Sequence, residues 1–363
     1  MVLIVMADDG IPFDGDTPHN GPLGGAESAF VSLAEAFAKR GHEVLAYTKV
    51  TRSRNVRGVS WRPIQEGIID KASLYIANRG DKLLKLVPGA DQRIFWIHNP
   101  ADYLLKWRYL SKLFVTRPII VFSGAFHAQS CPKWVPLGGR KIIPYGISKT
   151  FTGVRRKGIA PPTAIFTSNV LRGLDWLLEL WVDRIQPQVE GAQLHIYSGP
   201  ATYGSFGEAR ANAMNAILEK AKSLNLSGVK VLRPVPKKEL ADVYANARVM
   251  LYGGDIGETF CLALGESQAS GVPSVVKDIG CVSERIIPEE TGYVARDDTD
   301  FVEKAVTLLR DDTQWAAFSD RAVEMQRGWT WNEAAEAFES LLPSINCHIF
   351  GSLEEPAKFE NVK

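Results

Sequence analysis

Apolar runs alternate with amphipathic stretches along most of the chain. The run VLIVMA at 2–7 is rich in β-branched residues and carries no charge, which is typical of a strand buried on both faces of a parallel sheet. A glycine-rich loop follows. The next apolar positions recur at the spacing of one helix face: Ala26, Phe30, Leu33, Ala34 and Phe37. Gly41 ends this helix and EVLAYT forms the next strand, so the chain opens with a predicted β-α-β unit.

Three further strands are predicted in the first half, at SLYIA, RIFWIH and PIIVFS. The segment KIIPYGISKTF at 141–151 carries Pro and Gly, and the polar stretch TGVRRKGIAPP follows it, which indicates a linker between domains. The pattern then restarts, with strands at TAIFTSN, AQLHIYSG, VKVLRP, RVMLYGG and PSVVKD and helices between them. Both halves therefore predict doubly wound α/β domains, with a ligand cleft at the carboxyl ends of their strands.

Composition and charge narrow the class of protein. The chain has 363 residues, 45% hydrophobic and 23% charged, with a formal net charge of +1; this predicts a packed protein and argues against a dedicated nucleic-acid binder. The four cysteines are scattered, so we expect neither a metal site nor a disulfide framework. The N-terminus lacks a basic region before its short apolar run, and no stretch approaches the roughly 20 apolar residues of a membrane span. We therefore expect a cytoplasmic protein.

Two glutamates in GETFCLALGESQASGVP, which begins at Gly257, raise a chemical question. Positions eight apart lie about 80° out of line on a helix, so two carboxylates at this spacing would not face the same way. The spacing fits better if Glu258 precedes a helix and Glu266 lies on it, with Gly271 and Pro273 marking its end. No Lys or Arg lies within four residues of Glu266. Its carboxylate is therefore solvated at a surface, or is satisfied by a ligand or a buried partner.

The segment GETFCLALGESQASGVPSVV resembles the E-x7-E segment of the retaining family-4 glycosyltransferases, which have the GT-B fold. Five further segments resemble that family in the same order. They are LGGAESAFVSLAEAFAKRGHEV (its Gly-Gly loop and first helix), IIPYGISKTF (its hinge), LRGLDWLLELW (its basic-Gly donor segment), CVSERIIPEETGYVARDDTDFVEKAVTLL (the stretch after its donor helix) and WTWNEAAEAFESLL (its terminal crossing helix).

The resemblance implies an α/β architecture of the GT-B type, in which two Rossmann-like doubly wound domains face each other across a cleft. Residues 1–148 are then the acceptor-binding domain, joined by a crossing helix at about 331–346, and residues 155–330 are the donor-binding domain. The segment 347–363 is charged and has little periodicity, so we expect a loose tail there.

The same resemblance implies roles for individual residues. Glu266 is implied to hold the ribose hydroxyls of a nucleotide sugar, Glu258 to lie near the donor sugar, and His98 to bond the hydroxyls of that sugar, a structural histidine being the alternative. Gly24 and Gly25 precede a helix, where a backbone can approach a phosphate closely. The catalytic candidates are Glu258, His98 and Arg172. The donor-binding candidates are Gly24, Gly25, Ser168, Asn169, Arg172, Thr259, Phe260, Cys261, Leu262 and Glu266.

Charged residues near the predicted cleft have chemical interpretations of their own. Arg172 falls in a predicted strand-to-helix loop, where a guanidinium can neutralise a diphosphate. The family carries a second basic residue a few positions away, and none is evident here. Arg233, after VKVL, could contribute or could lie on the surface. Asp8 and Asp9 follow the first strand without an Asp-x-Asp pattern, so we predict a polar loop at the acceptor cleft and no metal site.

The segment YLLKWRYLSKLFVTR interleaves four basic residues with Trp107, Tyr109 and Phe114. Its basic residues are Lys106, Arg108, Lys112 and Arg117. Such a segment can dock on an anionic membrane surface or acceptor, or it can form a solvated amphipathic helix. Peripheral contact with the inner membrane face is therefore one prediction for this segment.

These patterns predict a retaining glycosyltransferase. It would move a hexosyl unit from a nucleotide-diphosphate sugar to a hydroxyl of a glycan, lipid-linked or small-molecule acceptor, without a metal or other cofactor, in the synthesis of cell-surface polysaccharide or glycolipid. A non-catalytic sugar-nucleotide binder or an epimerase on the same fold is the alternative. An NAD-dependent dehydrogenase is disfavoured, because the first loop is too long for a tight G-x-G-x-x-G turn and the second strand ends in YTK, with no acidic residue for a ribose.

Overall fold

The computed structural model describes residues 1–155 and 158–343, which form two β-sheets. The first sheet has the strand order β3-β4-β2-β1-β5-β6-β7-β8, and its neighbouring strands are parallel except for β3 with β4. Its strands are β1 Leu3–Asp8, β2 Glu43–Thr48, β3 Arg54–Val56, β4 Val59–Pro63, β5 Lys71–Asn78, β6 Gly89–Trp96, β7 Ile119–Phe122 and β8 Gly139–Ile142. The tail predicted at 347–363 lies outside the described residues.

The second sheet has the order β11-β10-β9-β12-β13-β14, and its neighbouring strands are all parallel. Its strands are β9 Thr163–Phe166, β10 Gln193–Tyr197, β11 Val229–Leu232, β12 Val249–Tyr252, β13 Ser274–Lys277 and β14 Gly292–Ala295. Two α/β units with parallel sheets confirm the predicted fold class. The sequence patterns missed β3, β4, β8 and β14; three of these are edge strands, where polar residues such as those of GRKI interrupt the apolar run.

Helices connect the strands. The α-helices are α1 Thr17–Asn20, α2 Gly25–Lys39, α3 Trp107–Thr116, α4 Ala125–Gln129, α5 Lys149–Thr152, α6 Leu174–Leu180, α7 Gly204–Ala209, α8 Ala211–Ser223, α9 Lys237–Ala245, α10 Leu262–Ala269, α11 Asp298–Arg310, α12 Asp312–Gln326 and α13 Trp331–Glu339. Short 3₁₀ segments are Ile64–Glu66, Asp81–Lys85, Ala101–Leu105, Gln186–Gln188, Pro200–Tyr203, Asn225–Ser227 and Val282–Arg285, and a π turn at Trp181–Ile185 continues α6. Within the described ranges, no helix is both long and apolar enough to cross a membrane.

Both faces of the first sheet are buried, as its unbroken apolar runs predict. Along β6 and the residue after it, Ile94 and Trp96 enter one apolar core, and Phe95 and Ile97 enter the core on the opposite face. This alternation follows from the two-residue period of a strand. Helices on both sides of the sheet therefore leave the strand ends as the place where polar side chains can gather.

Two segments cross between the sheets side by side. Ile147 donates its backbone N–H to the carbonyl of Trp329 at 3.0 Å, and the indole of Trp329 donates to the carbonyl of Pro144 at 3.0 Å. A Cβ at Gly146 would lie 2.2 Å from the backbone nitrogen of Trp331, so only glycine permits this approach. Beyond the crossing, α13 packs on α2. Its buried residues join the core of the first sheet: Trp331, Ala334, Ala335 and Phe338.

Candidate active site

Two neighbouring cavities lie between the carboxyl ends of the two sheets, with volumes of about 150 and 440 Å³. Every residue of the catalytic and donor-binding candidate sets lines at least one of them. Those that line both cavities are Gly24, Gly25, Arg172, Glu258 and Leu262. Two candidates, Ser168 and Glu266, line only the smaller cavity. The candidates that line only the larger cavity are His98, Asn169, Thr259, Phe260 and Cys261. The fold thus gathers residues from distant loops of both α/β units around one cleft.

Glu258 lies where the two cavities share a wall, and only 7% of its surface is exposed. Arg172 donates from Nη1 to Glu258 Oε1 at 2.7 Å, and the buried hydroxyl of Tyr252 donates to Oε2. Burial raises the pKa of Glu258, while Arg172 and the Tyr252 hydrogen bond oppose that rise. The carboxylate is therefore a buried group whose charge is matched by one cation at the cleft.

Glu266 forms a second buried pair. It lies on α10 with 4% of its surface exposed, and Lys237 Nζ donates to Oε1 at 2.6 Å and to Oε2 at 2.7 Å. Burial raises the pKa of Glu266 and the ammonium lowers it. Because α10 begins at Leu262, the prediction that Glu258 precedes the helix and Glu266 lies on it is confirmed.

Lys237 is the basic residue that the sequence did not reveal. It lines the smaller cavity as the first residue of α9, and it is 65 positions beyond Arg172 rather than a few. The signal was its place directly after Pro236, where a helix begins a few residues beyond the carboxyl end of β11. Arg233, considered for this role, lies outside both cavities; its exposed side chain pairs with Glu239 at 3.3 Å.

Helix N-termini from both α/β units border the cleft. Cys261 precedes α10 with a φ of 58°, in the left-handed region that a residue with a Cβ seldom occupies. The next residue, Leu262, is the first of the helix and lines both cavities. On the opposite side, α2 begins at Gly25 after Gly24. The first N–H groups of a helix lack acceptors within the helix and attract anions, so both ends favour a negatively charged ligand.

The loop between β9 and α6 presents Arg172. The backbone N–H of Leu171 donates a hydrogen bond to Asn169 Oδ1 at 2.9 Å. The hydroxyl of Ser198 donates to the backbone carbonyl of Ser168 at 2.6 Å. These bonds fix the turn from which Arg172 reaches Glu258. The polar side chains thus shape the loop, and the guanidinium provides its charge.

His98 is a neutral, tightly held imidazole. It follows β6, and its ring nitrogens contact the Tyr145 hydroxyl and Asn78 Oδ1, the latter at 2.5 Å. Burial lowers the pKa of His98 well below its ordinary value, and the charge of Arg79 lowers it further. The lowered pKa favours the uncharged ring, which keeps one N–H and acts in this cleft as a hydrogen-bonding group.

A charged cluster on the first sheet corrects one prediction. Asp8 is not part of a polar loop: it ends β1, is fully buried, and accepts hydrogen bonds from Arg79 and Asn78. Arg79 also pairs with Glu27 at 2.8 Å and lines the larger cavity. Asp9, beside it, is partly buried, and burial raises the pKa of its carboxyl. Across the described ranges, no group of three or more His, Cys, Asp or Glu side chains could hold a metal ion.

The loop that carries Glu258 is tied to the first sheet. Thr259 Oγ1 donates to the carbonyl of His98 at 2.8 Å, and Ser123 Oγ donates to the carbonyl of Thr259 at 2.8 Å. Phe260 packs on Tyr145, with ring centroids 4.5 Å apart. The position of Glu258 therefore depends on contacts between the two α/β units, as well as on contacts within its own unit.

This arrangement suits a ligand that carries both hydroxyl groups and phosphate. Carboxylates accept hydrogen bonds from sugar hydroxyls, and charge-assisted bonds of this kind are stronger than neutral ones. Two cations and two helix N-termini can bind phosphate oxygens in the same space. The neutral imidazole of His98 and the Arg79 cluster complete the opposite wall.

Comparison with known proteins identifies relatives of the chain. The family model described as glycosyl transferases group 1 matches residues 161–311. A GDP-mannose-dependent alpha-mannosyltransferase from Mycobacterium tuberculosis is 33% identical over 345 residues, which cover 85% of this chain and 90% of that protein. A D-inositol 3-phosphate glycosyltransferase from Corynebacterium diphtheriae is 32% identical over 140 residues, or 36% of this chain. That match spans only 33% of the relative's length.

Solved structures share the architecture at low sequence identity. Sucrose-phosphate synthase from Thermosynechococcus elongatus superposes with a TM-score of 0.71 at 16% identity, covering 93% of this chain and 97% of that one. The Anabaena protein HepE, solved in complex with UDP and glucose, has a TM-score of 0.67 at 13% identity, covering 95% and 100%. These likenesses confirm the predicted fold of two Rossmann-like domains that face each other across a cleft.

Proposed function

The chain belongs to the group 1 glycosyl transferases, and from that premise we propose that it transfers a hexosyl unit from a nucleotide-diphosphate sugar to an acceptor hydroxyl. The observation that carries this proposal is the pair of buried carboxylate–cation contacts, Glu258 with Arg172 and Glu266 with Lys237, on one cleft. The acceptor is a glycan, a lipid-linked sugar or a small molecule. The product belongs to cell-surface polysaccharide or glycolipid synthesis.

The donor lies along the second α/β unit, which becomes the donor-binding domain. Glu266 accepts hydrogen bonds from the ribose hydroxyls, in the smaller cavity. Arg172, Lys237 and the first amides of α10 bind the diphosphate, which places the sugar in the larger cavity beside Glu258. The acceptor enters from the first unit, past His98 and Arg79. Buried carboxylates facing a cleft support these roles, because their desolvation is offset when a ligand supplies further hydrogen bonds.

The reaction retains the configuration of the anomeric carbon. The bond from that carbon to the diphosphate oxygen breaks, and the acceptor oxygen bonds to the same face of the sugar. The acceptor proton passes to the departing diphosphate oxygen. Fixed charges at Arg172 and Lys237 stabilise the leaving group, and fixed groups of this kind act without reorganising during the reaction. Proton NMR of the fresh product tests this step: a product with inverted anomeric configuration would refute retention.

GDP-mannose is the first donor to test, since the relative that matches along most of the chain is named for it. The HepE structure was solved with UDP, so UDP-glucose and UDP-N-acetylglucosamine belong in the same panel. A donor that binds the folded protein raises its melting temperature by mass action, whereas the others do not. Turnover in the presence of acceptors then separates a transferase from a non-catalytic binder or an epimerase. A panel that produces no shift with any nucleotide sugar would contradict the proposal.

We further propose that transfer needs no metal ion. Arg172, Lys237 and two helix N-termini supply positive charge where the diphosphate would lie. Transfer should therefore persist at its full rate after dialysis against EDTA. Loss of activity that Mg²⁺ or Mn²⁺ restores would show instead that a cation balances the diphosphate.

A further inference from the structure

The charge of this chain is unevenly distributed. Lys and Arg number 42 and Asp and Glu number 41 in the whole chain, yet no acidic residue occurs between Asp102 and Asp175. That interval contains twelve Lys and Arg, seven of them at 106–141. A chain that is nearly neutral overall therefore carries one strongly basic region, and such a region attracts anionic surfaces.

Helix α3 lies in this region and presents apolar groups to solvent. Tyr109 and Leu113 are its buried residues, which face the core of the first sheet. Trp107 and Phe114 are seven positions apart and share the opposite face, where they are 80% and 64% exposed. Val115 beside them is 66% exposed. Large aromatic side chains usually lie inside a domain, so their concentration on an outer helix face calls for a partner.

Basic side chains flank this apolar face. Arg108 follows Trp107 in the first turn of α3, and Arg117 caps the helix three positions after Phe114. Both arginines are exposed, and the guanidinium of Arg117 lies over the ring of Phe114 at 5.4 Å. Among the described residues, the acidic neighbour of Arg108 is Asp81, 3.9 Å away, whose carboxylate also pairs with Lys112.

The loop before β8 extends the surface. A Cβ at Gly138 would lie 2.2 Å from the carbonyl oxygen of Arg117, so this loop adjoins the C-terminal end of α3. Trp134 in the same loop is 65% exposed, and Lys133 and Lys141 are exposed on either side of it along the chain. We define α3 together with residues 133–142 as the basic aromatic surface.

We propose that the basic aromatic surface docks on an anionic phospholipid bilayer. Basic groups outline a site for lipid phosphates, and Trp and Phe side chains can enter the interfacial layer of the bilayer. Charge complementarity favours a lipid surface, because neither α3 nor residues 133–142 contain an acidic residue, and the neighbouring Asp81 is already paired with Lys112. Docking here would hold the cleft near a membrane, since α3 follows the His98 loop after only a short 3₁₀ segment.

Cosedimentation of the full chain with lipid vesicles tests the proposal. The protein should bind vesicles of phosphatidylcholine mixed with phosphatidylglycerol and should not bind vesicles of phosphatidylcholine alone, and added salt should weaken binding. Each basic residue near an anionic surface contributes about fivefold in affinity. The double variant Lys133→Glu with Lys141→Glu should therefore bind the phosphatidylglycerol vesicles at least about tenfold more weakly. Trp107→Ser with Phe114→Ser should weaken it by about tenfold or more.

Matched substitutions elsewhere provide the controls. Arg52→Glu with Lys71→Glu changes the net charge by the same amount at exposed positions outside this surface, and Leu226→Ser removes a fully exposed apolar side chain of the second unit. Binding by these controls should stay within about twofold of the wild type, since the contacts they lose lie outside the docked surface. Equal binding to both kinds of vesicle, or equal losses in the controls, would overturn the proposal. So would a dimer in sedimentation velocity that Trp107→Ser with Phe114→Ser abolishes, because the occupant would then be a second copy.

Discussion

The loop that carries Glu258 and the helix that carries Glu266 hold similar carboxylates in different ways. Both carboxylates are buried and each is paired with one cation. Lys237 and Glu266 belong to the same α/β unit, although Leu262 at the start of α10 packs against the cores of both units. The loop of Glu258, in contrast, bonds to His98 and Ser123 of the first unit through Thr259.

This difference predicts that two residues of the segment 258–266 have separate roles, one in nucleotide binding and the other in sugar transfer. The Lys237–Glu266 contact involves no residue of the first unit, so we expect this pair to persist when the arrangement of the two units changes. Glu258 is fully positioned only when the units meet, since two of the hydrogen bonds of the next residue cross the cleft. We therefore expect Glu266 to govern affinity for the nucleotide and Glu258 to govern the rate of transfer in the closed form.

The largest effect is expected for Glu258→Gln, which keeps the shape of the side chain and removes its charge. The rate constant kcat for sugar transfer should fall by about 10²–10³-fold, the typical loss when one preorganised electrostatic group is removed. The Kd of the free nucleoside diphosphate should change little, because the proposed donor position puts Glu258 beside the sugar and not beside the nucleotide. Steady-state kinetics and calorimetry on the same preparation measure the two quantities.

Asp300→Asn is the matched control for this loss. Asp300 is also a buried carboxylate of the second unit, paired with Arg296 and Lys304, but it lies outside both cavities. Its replacement should leave kcat unchanged, even if it lowers the melting temperature. A Glu258→Gln variant that turns over like the wild type would remove Glu258 from the mechanism.

A smaller effect is expected for Glu266→Gln, and it should appear in binding. Hydrogen bonds to a charged group contribute about 1.5–3 kcal/mol, so the Kd of the nucleotide should rise roughly tenfold or more. The increase should be similar for the free nucleoside diphosphate and for the nucleotide sugar, because the ribose is common to both. Calorimetry with both ligands measures this. Normal affinity for both would show that the ribose lies elsewhere, and the assignment of the smaller cavity would be wrong.

The sequence predicted the architecture well where local patterns determine it. Continuous apolar runs indicated strands such as β1 and β6, and the position of Glu258 before α10 followed from helix geometry together with the Gly and Pro residues that end the helix. Lys237 could not be predicted in the same way, because its pairing with Glu266 joins two helices through the tertiary fold. The burial of Asp8 was missed for a similar reason: Arg79, its partner, comes from the end of a neighbouring strand 71 positions away.

The hydrogen bond between Ser123 and Thr259 provides the finest test of the comparison. Ser123→Ala removes the donor to the Thr259 carbonyl, and the loop of Glu258 loses one of its attachments to the first unit. A hydrogen bond contributes about 0.5–1.5 kcal/mol net, so kcat should fall by roughly two- to tenfold while the Kd of the free nucleotide stays constant. Ser319→Ala is the control, since Ser319 is equally buried and donates to the Gly271 carbonyl at 2.7 Å inside the second unit. Both variants should lose similar stability in thermal melts, but only Ser123→Ala should slow transfer. If the two variants lose the same fraction of kcat, contacts across the cleft do not position Glu258. Glu258 and Glu266 would then not differ in their dependence on the first unit.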